Sequence, residues 1–195
     1  MGKPIVFGVD VDGVLRDNLG IMVDLYNNRF DETMTVDDVH YFEVKHSFPK
    51  FEEHGINGRE WFFQEHADQI FLDAEPCQGA VSAMEILKQL GTVVIVTNQI
   101  GMRNKIRTLE WLNKYRIPYD SIFFSVDKHL LNCDVMVDDN VAFFMGSMAS
   151  KAVVIEAPYN INVPDDSIIE DAPNIKQVLR HKSLYEFALS MEHLI

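Results

Sequence analysis

Two aspartates near the N-terminus, Asp10 and Asp12, have the spacing of a carboxylate pair that could bind a hard cation. They follow an apolar run, residues 5–9, and precede Gly13, so the pattern predicts a buried strand that ends in a turn. Because side chains alternate along a strand, both carboxylates are expected to point the same way at the carboxyl edge of a sheet. Two adjacent negative charges repel each other, and Mg²⁺ with oxygen ligands would neutralise them.

Three further polar segments directly follow apolar runs. Thr97, Asn98 and Gln99 offer hydroxyl and amide donors that could bind a phosphate oxygen, although the segment is also ordinary turn chemistry. Lys128 could balance the acids and hold an anion as a point charge, although a single lysine is more simply a solvated surface residue. Asp138 and Asp139 form a second acid pair after a strand. Two such pairs predict an oxygen-rich cation site with room for water and phosphate.

The remaining pattern alternates strands with helices. β-branched runs predict strands over 5–9, 92–97, 121–124, 134–137 and 151–155. Helical spacing predicts helices over 18–30, 80–90, 103–115 and 141–148, and a C-terminal helix begins at the capping-box sequence 183–186. Continuous apolar strands between helices indicate an α/β fold whose parallel sheet is covered on both faces.

One segment breaks this alternation. Residues 31–75 have no strand-like apolar run and are rich in aromatic residues, acids and histidine, with a helix predicted over 58–70. We therefore expect a helical cap over 18–75, inserted into a core made of 1–17 and 76–195.

Composition narrows the class of partner and the compartment. The 195 residues carry a net charge of −13, which disfavours a nucleic-acid polymer as partner. Cys77 and Cys133 lie far apart without metal-ligand spacing, as is typical of reduced thiols in a cytosolic protein. The start has no signal-peptide pattern and no run approaches a membrane span, so we expect a cytoplasmic protein with no membrane partner.

Four ordered motifs, D-V-D-G-V-L, V-T-N, D-K-H-L-L and V-D-D-N, resemble those of haloacid dehalogenase-like phosphatases from Ile5 to about Ile155. The resemblance implies a Rossmann-like three-layer core with the helical cap inserted after the first strand. The second acid of the first motif, Asp12, marks phosphoryl transfer rather than dehalogenation in that superfamily.

Within the superfamily the chain looks most like the cytosolic C-type 5′(3′)-deoxyribonucleotidases. The basis is the early helical insertion, the sequence Ala-Glu-Pro at 74–76, and the spacing of Asp-Lys at 127–128 before the acid pair. Three positions depart from that family: Asn98 stands where serine is frequent, Asn140 where arginine is frequent, and Asn18 where some members have an aromatic residue. These departures bear on base and sugar preference.

The resemblance implies a role for each motif. Asp10 would be the nucleophile that forms an aspartyl-phosphate, Asp12 the general acid and base, and Lys128 a catalytic cation. Thr97 and Asn98 would bind the transferring phosphate. Mg²⁺ would be held by the Asp10 carboxylate, the Asp12 backbone carbonyl and one acid of the pair Asp138 and Asp139, with Asp139 favoured.

The cap would select the substrate, which the resemblance implies is a nucleoside monophosphate. Tyr41, Phe42 and Val44 would line a base pocket, with Trp61, Phe62 or His66 opposite; the alternative is that the rings form the cap's own core, which we favour for Phe62, Phe63 and Phe71. Lys105 and Arg107, in a basic run with Arg103, could help to bind the phosphate, although a solvated helix face is favoured for this run. His54, His181 and His193 are expected to face solvent.

Three other functions stay open at this point. The first is a phosphatase of another small phosphomonoester, such as a sugar phosphate. The second is a polynucleotide-end phosphatase, which the net charge disfavours. The third is a non-catalytic protein that binds phosphorylated ligands, which would be expected to lack a catalytic acid. The resemblance also leaves room for a homodimer.

Overall fold

The computed structural model describes residues 3–192 and is built on a parallel sheet of six strands. The strands are β1 (Ile5–Val9), β2 (Gly91–Thr97), β3 (Ser121–Phe124), β4 (Val135–Asp138), β5 (Lys151–Ile155) and β6 (Gln177–His181). They lie in the order β3-β2-β1-β4-β5-β6, and every neighbouring pair is parallel. The predicted parallel α/β fold is therefore confirmed, with the first strand at the centre.

The register of β1 brings the acid motifs together. Phe7 lies opposite Val93 on one side and Val135 on the other, so the apolar run of β1 is buried between two strands. Val9 pairs with Val137, and the Asp10 amide donates to the Val137 carbonyl at 3.0 Å. Both strands, β1 and β4, therefore deliver their aspartates to the same edge of the sheet.

Helices cover both faces of the sheet. The described helices are α1 (Asn18–Phe30), α2 (Val44–Ser47), α3 (Lys50–Glu53), α4 (Gly58–Glu60), α5 (Ala80–Leu90), α6 (Gly101–Lys114), α7 (Asp165–Asp171) and α8 (Leu184–Glu192), of which α5 to α8 lie against the sheet. One buried cluster joins β1, β2 and β4 to α5, α8 and the end of α6, while a second joins the opposite face to α7. The result is three layers, helices on a sheet on helices.

Between β1 and α5 the chain forms a helical region with its own core. It contains α1 to α4 and two π-helical turns, Trp61–Glu65 and Gln69–Asp73. Asp17 caps α1 by accepting from the Gly20 amide at 3.0 Å, as the sequence predicts. Aromatic rings pack at 5.1 to 5.5 Å around Tyr26 and Phe51. This cluster is separate from the two that cover the sheet.

One face of α6 binds the helical region through side-chain donors spaced three and four residues apart. The donor and acceptor pairs are Asn104 with the Phe63 carbonyl, Arg107 with the Asp68 carboxylate, Trp111 with the Ala74 carbonyl and Lys114 with the Leu72 carbonyl. We call these four pairs the α6 seam.

The prediction that Arg107 lies on a solvated face is wrong: its side chain is buried because it pairs with an acid of the helical region. Arg103 is exposed as predicted, whereas Lys105 is half-buried over the Phe124 ring.

Other differences from the sequence prediction concern short or irregular elements. The helix predicted over 58–70 is divided into α4 and π-helical turns, and that over 141–148 is only a 3₁₀ turn, Val141–Phe144. Two elements after Ile155, α7 and β6, were not predicted.

His181 is half-buried against Phe187, not solvent-facing, and burial lowers its pKa. His54 is exposed as predicted, and His193 lies outside the described residues. No helix within 3–192 has the length and apolar character to cross a bilayer.

Candidate active site

The turn after β1 needs glycine at position 13. Gly13 has a φ of +78°, a conformation that side-chain-bearing residues rarely adopt. A methyl group there would also overlap the carboxylate of Asp139. Gly13 therefore allows the first acid motif to approach the second.

Three buried carboxylates meet at this edge of the sheet. Asp10, Asp138 and Asp139 each place an oxygen within 4.8 Å of the others. The Lys128 ammonium lies 2.9 Å from Asp10 Oδ2 and 2.6 Å from Asp138 Oδ2, and it sits 4.1 Å from the centre of the Phe143 ring. Three acids and one lysine leave an excess of negative charge in a buried cluster.

The ionisation of this cluster reflects that excess. Burial raises the pKa of Asp10 to about 7, against the attraction of Lys128. Burial, followed by repulsion from Asp138 and Asp10, raises the pKa of Asp139 well above its usual value. Burial opposes the charged form of Lys128, but the attraction of the neighbouring carboxylates outweighs it and raises the pKa.

A metal ion fits these residues. Asp10 Oδ1 is one of two buried side-chain oxygens in the described chain that have no hydrogen-bond partner. A buried, unpartnered carboxylate oxygen beside two further carboxylates is a ligand set that hard divalent cations prefer. The cluster can therefore hold a metal ion, which would neutralise the negative charge that Lys128 does not balance.

Two residues from the segment after β5 fix Asp139. The Tyr159 hydroxyl donates to Asp139 Oδ2, and the Asn160 amide donates to the Asp139 carbonyl at 2.7 Å and to the Ile155 carbonyl at 2.8 Å. Tyr159 also meets Phe42 of the helical region edge-on, with ring centres 5.7 Å apart. One side chain thus contacts both the acid cluster and the helical region.

Asp12 departs from the predicted geometry. Strand β1 ends at Val9, so the alternation that would align Asp12 with Asp10 does not extend to the turn. Arg16 binds Asp12 Oδ1, and Gln99 donates to Asp12 Oδ2 at 2.6 Å. The Asp12 carboxylate is consequently outside the three-acid cluster, and its backbone carbonyl as a metal ligand stays a prediction.

A cavity of about 240 Å³ lies between the acid cluster and the helical region. Its core side carries the polar groups of all four motifs, namely Asp10, Asp12, Thr97, Asn98, Gln99, Lys128 and Asp139. Its other side is mostly apolar and aromatic, with Tyr41, Phe42, Val44, Phe63 and Phe71 among the lining residues. An acidic, metal-compatible floor and an aromatic wall suit a small phosphorylated ligand that bears a ring.

The aromatic predictions are met in part. Tyr41 and Phe42 are about half exposed and face the cavity, whereas Trp61, Phe62 and His66 are not among its lining residues. Phe62 belongs to the core of the helical region as predicted. Phe71 is likewise buried in that core and the half-buried Phe63 packs against it, as predicted, and both also line the cavity.

Sequence reasoning missed Arg16 and Tyr159 and gave Gln99 only a generic donor role. The spacing of Arg16 four residues after Asp12 is a signal that a pairing search could have found. Tyr159 offers no comparable signal, because it reaches Asp139 only after the segment beyond β5 has folded back over the sheet edge.

A protein-family model for 5′ nucleotidase, deoxy (pyrimidine), cytosolic type C, matches residues 3–184. Among curated proteins, the chain is 26% identical over 170 residues to a nucleotidase of Clostridium acetobutylicum, covering 83% of this chain and 85% of that protein. It is 23% identical over 203 residues to a predicted 5′(3′)-deoxyribonucleotidase of Acanthamoeba polyphaga mimivirus, covering 96% and 82%.

Solved structures share the fold. A haloacid dehalogenase-like hydrolase from Streptococcus pneumoniae superposes with a TM-score of 0.63 at 12% identity and covers 100% of this chain and 99% of that one. A haloacid dehalogenase-type hydrolase from Bacillus subtilis, bound to magnesium, superposes with a TM-score of 0.57 at 13% identity and covers 98% and 100%.

Proposed function

This chain belongs to the cytosolic type C 5′-nucleotidase family of phosphoric monoester hydrolases, and we propose that it removes phosphate from deoxyribonucleoside or ribonucleoside monophosphates. The observation that carries the proposal is the buried cluster of Asp10, Asp138 and Asp139 at the floor of a cavity with an aromatic wall. The family description also supports the cytosol as its compartment.

The proposed reaction begins at Asp10. Its carboxylate attacks the phosphorus atom, the bond to the ester oxygen breaks, and an aspartyl-phosphate forms. Asp12 gives its proton to the departing ester oxygen. Water then attacks the aspartyl-phosphate, Asp12 takes a proton from that water, and inorganic phosphate leaves with Asp10 restored.

The surrounding residues bind and orient the phosphate. Thr97 and Asn98 line the cavity at the end of β2 and would donate to phosphoryl oxygens, while Lys128 would attract them. A Mg²⁺ ion held by Asp10, the Asp12 carbonyl and Asp139, with Asp138 beside them, would supply further neutralisation of the phosphate charge. The magnesium-bound Bacillus subtilis neighbour is consistent with that choice of metal.

We propose that the helical region is the cap that selects the substrate. Tyr41 and Phe42 present exposed rings to the cavity beside the buried Val44, and an exposed ring is a stacking surface for a nucleobase. An aromatic ring can stack on any nucleobase, so Tyr41 and Phe42 favour nucleotides as a class rather than one particular base.

The decisive experiment measures phosphate release from a panel of nucleoside monophosphates and sugar phosphates, with Mg²⁺ and with EDTA. The panel is run on the wild type, on Asp10→Asn, and on Asp24→Asn, which changes an exposed acid of α1 as the matched control. Mg²⁺-dependent release selective for nucleotides, lost in Asp10→Asn and kept in Asp24→Asn, is the expected result. Release from sugar phosphates alone would overturn the nucleotide assignment, and no release from any ester would overturn the activity.

A second measurement addresses the intermediate. With substrate labelled in its phosphate, acid quenching during turnover is expected to recover label bound to the wild-type protein and none on Asp10→Asn. Absence of bound label during active turnover would contradict the covalent route.

A further inference from the structure

Both oxygens of the Asp12 carboxylate accept hydrogen bonds from neighbouring side chains. We propose that Arg16 and Gln99 are positioning residues that hold Asp12 as the general acid and base and leave Oδ2 as the atom that carries its proton. The proposal rests on the proposed phosphatase function, in which Asp12 protonates the ester oxygen that departs.

Arg16 holds Oδ1 from a fully buried position. Its Nε and Nη2 atoms donate to Asp12 Oδ1 at 2.9 and 2.7 Å. Its Nη1 donates to the Phe71 carbonyl at 2.9 Å, and its guanidinium lies 5.0 and 5.2 Å from the ring centres of Phe71 and Trp111. A guanidinium fixed between two rings has little freedom, so the Asp12 oxygen that it binds has little freedom either.

Gln99 holds Oδ2 from the opposite side. Its amide nitrogen donates to Asp12 Oδ2 at 2.6 Å and lies 3.3 Å from Thr97 Oγ1. Because the carboxylate can only accept, the nitrogen of the Gln99 amide must be the atom facing it. The same amide group donates to the Thr97 oxygen, which leaves the Thr97 hydroxyl hydrogen available for a phosphate oxygen.

A count of lone pairs then selects one atom for the proton. An ionised carboxylate has about four acceptor sites, two on each oxygen. Arg16 occupies both sites on Oδ1, and Gln99 occupies one on Oδ2. One site on Oδ2 remains, and the Asp12 side chain is 24% exposed on the cavity side of the turn.

The proton balance follows from that free site. In the first step the Asp10 carboxylate bonds to phosphorus, the bond between phosphorus and the ester oxygen breaks, and the Oδ2 proton of Asp12 passes to that oxygen. In the second step the water oxygen bonds to phosphorus, the bond between phosphorus and Asp10 breaks, and Oδ2 takes a proton from the water. Without Arg16 or Gln99, the Asp12 carboxylate could rotate, and Oδ2 would no longer lie beside the ester oxygen or the attacking water.

The test compares leaving groups, because a general acid matters only where the departing oxygen needs a proton. We compare kcat/KM for a deoxyribonucleoside monophosphate with kcat/KM for p-nitrophenyl phosphate, whose phenolate departs without protonation. Gln99→Met keeps the length of the side chain and removes the donor. General acid catalysis contributes about 10²–10⁴ in rate, so we expect about a 10-fold loss for the nucleotide and less than about a 2-fold loss for p-nitrophenyl phosphate.

Arg16→Met and Arg16→Lys are measured alongside, with the lysine variant expected to retain more nucleotide activity because it keeps one donor. Arg107→Met is the matched control, since Arg107 is also a buried arginine that binds a carboxylate but touches no reacting group. It is expected to lower the melting temperature while keeping the wild-type ratio between the two substrates. If both Arg16 variants fail to fold, Gln99→Met alone decides.

The outcomes separate this proposal from the function on which it rests. A wild type that hydrolyses neither substrate would overturn the proposed function. If the wild type is active on both substrates and Gln99→Met loses equal activity on the two, the positioning role of Arg16 and Gln99 is overturned. A loss confined to the nucleotide would support it.

Discussion

Gly13 carries two constraints at once, a left-handed backbone and the close approach of Asp139. Gly13→Ala is expected to cost about 1–3 kcal/mol of folding free energy for the backbone alone. It should also displace Asp139 and abolish Mg²⁺-dependent phosphate release. Activity assays and urea unfolding measure the two effects separately.

Gly55→Ala is the matched control for that substitution. Gly55 has a φ of +66°, and nothing lies within 4 Å of the position that its added methyl group would occupy. The control should lose comparable stability and keep its activity. Full activity in Gly13→Ala would show that Asp139 tolerates displacement and would contradict the geometric argument.

Tyr159 offers a second residue-level prediction, because its hydroxyl donates to a proposed metal ligand. Residues that orient metal ligands typically contribute 10- to 100-fold to affinity, so Tyr159→Phe should weaken Mg²⁺ binding by about 10-fold. Isothermal titration of the metal-free protein measures the change. Tyr115→Phe removes a buried hydroxyl that has no partner, and it should leave Mg²⁺ affinity unchanged.

At the scale of elements, helix α6 anchors the helical region through the α6 seam. Trp111 is fully buried, and its Nε1 donates to the Ala74 carbonyl at 2.7 Å. Trp111→Phe would leave that carbonyl without its donor and reduce packing, at a cost of about 1–3 kcal/mol for the unsatisfied group. Urea unfolding measures the loss.

Lys114→Met serves as the comparison within the same seam. Lys114 is exposed and reaches the Leu72 carbonyl at 3.1 Å, where water can replace it. Its loss should cost less than about 0.5 kcal/mol. Equal destabilisation in the two variants would mean that burial does not set the strength of the seam.

The same scale shows what the sequence could predict. The strands from β1 to β5 and the helices α1, α5 and α6 have strong periodic patterns, and their predicted positions agree with the structure to within two residues. The π-helical turns were not predictable, because the packing of Trp61 and Phe62 in the helical core overrides local periodicity. β6 was missed because its burial is partial and its run mixes Gln177, Arg180 and His181 with apolar residues.

The candidate site divides in the same way. The four motifs could be placed at one sheet edge, because parallel strands end together. The separation of Asp12 from the acid cluster could not, since it depends on Arg16 and Gln99, which meet only in three dimensions. The boundaries predicted for the cap, 18 and 75, stay a prediction.

For the whole molecule, the acid cluster predicts how metal and pH act on stability. Burial raises the pKa of Asp10 from its usual 3.8 to about 7, so this carboxyl holds its proton more tightly in the folded state. Its stabilising contribution in metal-free protein is full below about pH 4 and is lost as the pH rises through about 7. Mg²⁺ should restore that stability by binding the ionised carboxylates.

The measurement is thermal unfolding with and without Mg²⁺ across this range. A ligand at about 100 times its dissociation constant stabilises by about 2.7 kcal/mol. The Mg²⁺-induced rise in melting temperature should be small at about pH 5.5 and large at about pH 8, because protons compete for the same oxygens. A shift of equal size at both values would contradict the role of the buried carboxyls.

The central position of β1 also sets an order of events during synthesis. β1 is made first, yet its neighbours begin only at Gly91 and Val135. At the rate of translation, both edges of β1 stay without a neighbouring strand for on the order of seconds. The helical region can collapse around its own aromatic cluster during that delay. Asp10, the proposed nucleophile, is therefore translated long before Asp138 and Asp139, and the acid cluster around it is completed only once β4 has been made.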